Sequence, residues 1–242
     1  MHTRILAFVA LLSTVFAQFP VENPEFLLKL QKLGSIYQQK CLKNTKPDEF
    51  QQLVSTITSS DNCFSAPTSS EANVKQFCSI SGIKYLGCIK GYSKLMKACL
   101  DKDEKYLPDF VINAQQRVLN KFCKDDYVEK LTKVFGSKCK TPLETSMPNE
   151  IISKCIPSLK IFQGVDKGEF TLKKDLICSD IRTIQECVTK HLTTNCEIPK
   201  EGVELVSSIF IEYQKECGDK SNGNIITLST LSLFLIVIKH VF

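Results

Sequence analysis

The chain has 242 residues, of which 31 are Lys or Arg, 26 are Asp or Glu, 12 are Cys and none is Trp. A hydrophobic fraction of 43% beside 24% charged residues excludes a disordered chain. The net charge of +5 is small and dispersed, which excludes an electrostatic footprint for nucleic acid, and so many cysteines point to an oxidising compartment.

The N-terminal stretch MHTRILAFVALLSTVFAQ reads as a secretory signal peptide. His2 and Arg4 give a basic start, Ile5 to Leu12 an apolar stretch, and Val15 and Ala17 the small residues of a cleavage site. Residues 1–17 are therefore expected to be removed. The apolar run is too short to span ~30 Å of hydrocarbon.

Helical periodicity follows. Phe26 to Cys41 and Asp48 to Ile57 read as two helices. Ile83, Leu86, Ile89, Tyr92, Leu95 and Cys99 form an apolar stripe. Pro108 suits the first turn of a helix running to Cys123, with Val111, Ala114, Val118 and Phe122 inward. Ile181, Ile184, Val188, His191 and Leu192 lie at steps of three and four, and Val203, Val206, Phe210, Tyr213 and Cys217 repeat the pattern. No segment alternates with period two for long enough to be a strand. The expected fold is all-α, a disulfide-rich bundle of about eight to ten helices.

The cysteines are Cys41, Cys63, Cys78, Cys88, Cys99, Cys123, Cys139, Cys155, Cys178, Cys187, Cys196 and Cys217. In a secreted chain an even set implies up to six disulfides. There is no CxxC motif and no Cys/His pair read as lying at ligand spacing, so a metal site is not expected. Phe77-Cys78-Ser79 recurs as Ile177-Cys178-Ser179. After Cys78 the next three cysteines follow 9, 10 and 23 intervening residues; after Cys178 they follow 8, 8 and 20. The chain thus divides into two pseudo-repeated six-Cys halves, 18–130 and 131–220. A helix from Ser179 to Thr193 is ~22 Å long and one from Glu201 to Cys217 ~25 Å. The short link between them, containing Pro199, makes an antiparallel hairpin that places Cys178 beside Cys217. The same argument places Cys78 beside Cys123.

The C-terminus carries a second address. Ile225 to Ile238 is apolar or hydroxylic throughout and follows the small-residue cluster Ser221-Asn222-Gly223-Asn224. This resembles a glycosylphosphatidylinositol attachment signal over 221–242, with Ser221, or else Asn222, as the attachment residue. A transmembrane helix is the rival reading, although 14 apolar residues fall short of the ~20 a span needs. A buried terminal helix is disfavoured because the tail has no polar periodicity.

The stretches KACLDKDEKYLPDFVINAQQRVLNKFC (97–123) and LICSDIRTIQECVTKHLTTNCEIPKEGVELVSSIFIEYQKEC (176–217) carry a family resemblance. In cysteine spacing and helix pattern the chain resembles the insect 27 kDa haemolymph glycoprotein family over about 41–217. The resemblance implies a secreted, cysteine-rich helical protein with no assigned catalytic activity. The chain departs from that family in lacking any Asn-x-Ser/Thr sequon and in its hydrophobic tail beyond Cys217. KDDYVEKLTKVFGSKC (124–139) is only loosely similar to the acidic, glycine-containing stretch found there.

Catalytic constellations are sparse. Once both ends are removed His191 is the one histidine left, and its place on an apolar stripe reads as a core-edge residue. There is no GxSxG, Gly-rich phosphate loop or HExxH. Asp101, Asp103 and Glu104, Asp125 and Asp126, and Asp48 and Glu49 read as solvated helix starts. Lys173 and Lys174 read as solvated surface. Leu205, Val206, Ile209, Phe210 and Ile211 nearly encircle their helix, which is either deeply buried or lines a cavity. The expected function is extracellular binding or recognition without catalysis or cofactor, at a membrane-tethered surface, with an unidentified protein partner. The alternative is a carrier of a small hydrophobic molecule, which would need a void of roughly 300 Å³ between the halves. An enzyme built on a carboxylate pair would need two acids facing across a cleft, which no spacing here suggests.

Overall fold

Prolines open several of the helices. A computed structural model describes residues 24–58, 77–124, 126–131, 133–135, 150–168 and 170–218. The signal stretch, Cys63, Asp125, Cys139, Ser221, Asn222 and the C-terminal segment lie outside these residues. Helices α1 (Pro24–Asn44) and α2 (Pro47–Thr58) each start on a proline, whose missing N–H is harmless in a first turn. Glu25, Asp48 and Glu49 then complement the helix dipoles. A π-helical turn (Phe77–Ser81) leads into α3 (Gly82–Cys99), and the turn Lys102–Glu104 into α4 (Leu107–Phe122), with Pro108 in its first turn. Residues 127–131 and 133–135 are helical as well.

The second half continues with turns at Ile151–Cys155 and Ile156–Ser158, then α5 (Lys160–Asp166), α6 (Lys174–Cys196) and α7 (Lys200–Gln214). Helix α6 ends where Glu197 takes a left-handed φ of 50°, and Pro199 prevents its continuation. The link between α6 and α7 is three residues long, so the two helices form the expected hairpin. The described residues contain no strand, and the all-α, disulfide-rich class holds.

Buried residues from both halves form one contiguous core. Ile181, Ile184, Val188 and Leu192 are each 0% exposed, as their spacing requires. Several polar contacts among the described residues stitch the halves around this core. Tyr106 Oη donates to Leu172 O at 2.8 Å, Tyr127 Oη to Leu205 O at 2.7 Å, and Lys32 Nζ to Asp166 O at 2.8 Å. The Arg117 guanidinium donates twice to Glu212 O, at 3.1 and 3.0 Å.

The expected α3 stripe needs correcting at its first residue, because Ile83 is 64% exposed. Each three-residue step falls about 60° short of a full turn, so Ile83, Leu86 and Ile89 drift around the helix. Leu86, Ile89, Tyr92 and Cys99 face the core and Ile83 faces out. Helix α5 has only seven residues, too few to show a period.

Candidate functional site

Four disulfides lie wholly within the described residues: Cys41–Cys99, Cys78–Cys123, Cys155–Cys187 and Cys178–Cys217. The second and fourth are the pairs that the hairpin argument names. Cys88 and Cys196 are disulfide-bonded too. Counting the six cysteines of each half in order, the first half pairs first with fifth and third with sixth. The second half pairs second with fourth and third with sixth.

His191 sits at the edge of the core with its side chain 16% exposed and its Nδ1 3.4 Å from Glu150 Oε2. Glu150 also accepts from Asn195 at 3.2 Å and from Lys154 at 3.3 Å. Its carboxyl is burdened by partial burial, yet these donors and the nearby cations hold it below the usual carboxylate range. The sulfurs of Cys155 and Cys187 lie close to His191, within 4.8 Å. The expectation that no Cys/His pair has ligand spacing is corrected here: Cys187 and His191 are four residues apart on one helix, on one face, a spacing that suits metal ligands. The two sulfurs are joined to each other, so they offer no thiolate to a metal.

The carboxylates separate into two groups. Asp48, Glu49, Asp103 and Asp126 are exposed, as solvated helix starts should be, and so are Lys173 and Lys174. Glu104 is not, and the expectation fails there: it is 1% exposed. Its carboxylate ion-pairs with Lys40 and accepts from Leu172 N at 2.8 Å and Asp101 N at 3.1 Å. Lys40 also contacts Asp101 at 2.9 Å and lies 6.0 Å from the Phe170 ring centre. Hydrogen bonds from Lys40 and Asn44 hold the Asp101 carboxyl below its ordinary value. A carboxylate whose lone pairs are taken by one lysine and two backbone N–H groups braces the segments that carry those donors.

Two open concavities among the described residues lie between the halves. Residues 120–124, 126–131 and 133–134, with helix α7, form the walls of two adjoining open grooves. The smaller, about 510 Å³, is lined by Arg117, Asn120, Lys121, Lys124 and Lys215 with Asp126 and Glu212. The larger, about 740 Å³, has Lys133, Val134, Pro199 and Ser208 along its walls, with Glu201 and Glu204 on the α7 side. Lys121, Tyr127, Lys130 and Leu205 line both. Both volumes fall in the range of ligand sites. The Tyr127 hydroxyl bonds to Leu205 O on the floor, and burial pushes its pKa up to about 12, so it stays a neutral donor. Lys130 holds Asp126 at 2.8 Å and keeps that carboxyl low in pKa. Glu212 is shared by Lys121 at 3.6 Å, Lys215 at 2.6 Å and Arg117 at 3.8 Å.

The sequence marked one residue of this site. Leu205 belongs to the apolar ring expected to be buried or to line a cavity, and it is half-buried at the groove floor; Ile211 of the same ring is 45% exposed. The lysines and Tyr127 were missed. Their signal is the spacing of Tyr127, Lys130 and Val134, one helical face opposite Glu201, Glu204, Leu205 and Ser208 of α7.

No family model matches the chain, and no curated protein or solved structure matches it.

Proposed function

We propose that this chain is an extracellular binding protein without catalytic activity. Its multiple disulfides fit an oxidising, extracellular environment. The observation that carries the binding reading is the groove of about 740 Å³ at the seam of the two halves, with Lys121, Tyr127, Lys130 and Val134 on one side and α7 on the other. The resemblance of its cysteine pattern to secreted haemolymph glycoproteins supports the same reading. Delivery to the cell surface rests on the N-terminal signal stretch and on a lipid anchor at Ser221 or Asn222. No helix among the described residues is long and apolar enough to cross a membrane.

Two measurements test the proposal. Cells expressing the full chain are treated with a phosphatidylinositol-specific phospholipase, and release into the medium is expected. Retention, while a control anchored protein is released, overturns the anchor. The processed protein is then purified and extracted with organic solvent for mass spectrometry. A stoichiometric apolar molecule favours the carrier form of the binding function. A clean extract favours recognition of a protein at the surface.

A further inference from the structure

The charge distribution along the two grooves is uneven, and that unevenness selects a ligand. The smaller groove is lined by Arg117, Lys121, Lys124, Lys130 and Lys215 against only Asp126 and Glu212. Lys124 is exposed and has no carboxylate partner among the described residues. The larger groove continues from the same floor past Tyr127 and Leu205 to Val134 and Pro199. The order of contacts fixes its direction. Lys121 meets Glu212 near the C-terminal end of α7, Tyr127 meets Leu205 in its middle, and Val134 packs against Gly202 near its start. From residue 201 to its end at Gln214 α7 runs ~20 Å, comparable to the extended length of a long alkyl chain. The cationic end and the apolar trough together span that length, which complements a molecule with one anionic head and one hydrocarbon tail.

We propose that this continuous groove binds a single-chain anionic lipid. The head lies among Lys121, Lys124 and Lys215, and the tail runs over Tyr127 and Leu205 towards Val134 and Pro199. This assignment rests on the binding function proposed above and adds the ligand class and its orientation. The far end sets Glu201 and Glu204 against Lys133, whereas the smaller groove has five cations against two carboxylates, so the head lies among those five.

The test uses the full chain expressed and processed in a eukaryotic secretory host, titrated with oleate and with oleyl alcohol by displacement of a fluorescent fatty acid. Saturable binding of one oleate per chain is expected, at least about tenfold tighter than the alcohol. Lys124→Glu, an exposed change that leaves the fold intact by circular dichroism, is expected to weaken oleate about tenfold and leave the alcohol unchanged. Leu205→Ser is expected to weaken both. Equal binding of the two probes, unaffected by Lys124→Glu, overturns the anionic head while the binding function stands. Binding of both probes that survives Leu205→Ser overturns the location. Absence of saturable binding to either overturns the lipid assignment, and the solvent extract then decides the wider proposal by itself.

Discussion

Glu104 Oε1 accepts the backbone N–H of Leu172 at 2.8 Å, a bond across the seam of the two halves made by a carboxylate that is 1% exposed. Removing it takes an acceptor from three partners, the Leu172 N–H, the Asp101 N–H and the Lys40 ammonium, which keeps only the half-exposed Asp101 carboxylate. Losing one member of a buried pair costs several kcal/mol because the other charge stays desolvated. Glu104→Ala is therefore expected to lower unfolding stability by about 3 kcal/mol, and Glu104→Gln, which keeps an acceptor but no charge, by less. Urea midpoints at unchanged m-value measure both. A loss under about 1 kcal/mol would show that Lys40 is adequately served by Asp101 alone.

What the sequence disclosed and what it hid follow from the range of the interactions. The α6 stripe is legible because Ile181, Ile184, Val188 and Leu192 repeat locally, and the α6–α7 hairpin because a three-residue link leaves the chain little choice. Glu104 is illegible as a buried group because its burial depends on Leu172, 68 residues away. Acids at a helix start carry the same local signal whether solvated or enclosed. The groove is hidden for the same reason: Tyr127 and Leu205 meet 78 residues apart. Cys187 and His191 are the reverse case, a local spacing that suits a metal but whose sulfur is claimed by distant Cys155.

The disulfides within the described residues imply a complete map. First-with-fifth and third-with-sixth in one half, second-with-fourth and third-with-sixth in the other, are compatible with a single connectivity used twice. Repeating it pairs Cys63 with Cys88 and Cys139 with Cys196. Proteolysis of the secreted protein without reduction, followed by mass spectrometry, is expected to yield these two linked peptides beside the four described. A peptide joining Cys63 to Cys196 would instead tie the halves together and end the duplication.

Gly202 is placed by steric demand. A Cβ there would lie 2.3 Å from Val134 Cγ1 and 3.4 Å from Ile198 Cβ. Val134 is β-branched and has little rotamer freedom with which to retreat. Gly202→Ala gains helix propensity of about 1 kcal/mol but incurs overpacking of about 1–3 kcal/mol, so a net loss is expected. Val134→Ala should relieve it. A double-mutant cycle is expected to show about 1 kcal/mol of favourable coupling. Additive effects would mean that α7 moves away from residues 133–135 as a body.

Asp180 offers a pH dependence with a definite sign. It is 0% exposed on α6, and its two carboxylate oxygens accept from Lys160 N at 2.9 Å and Ile161 N at 3.1 Å, closing the start of α5. Burial raises its pKa above 3.8, with the two backbone donors and the Lys160 charge pulling the other way. The folded chain therefore holds this proton at pH values where the unfolded chain has lost it. Stability contributed by the group is full below the unfolded value and falls as pH rises through the folded one. Asp180→Asn removes the titration and keeps an oxygen acceptor. The stability of the parent relative to Asp180→Asn is thus expected to decline from pH about 4 towards neutrality. Asp180→Ala, which orphans both N–H groups, should cost about 2 kcal/mol even at pH 7. Urea denaturation of the three proteins across that range provides the check. A parent that gains on Asp180→Asn as pH rises would mean that the two N–H donors outweigh burial and hold the carboxylate charged.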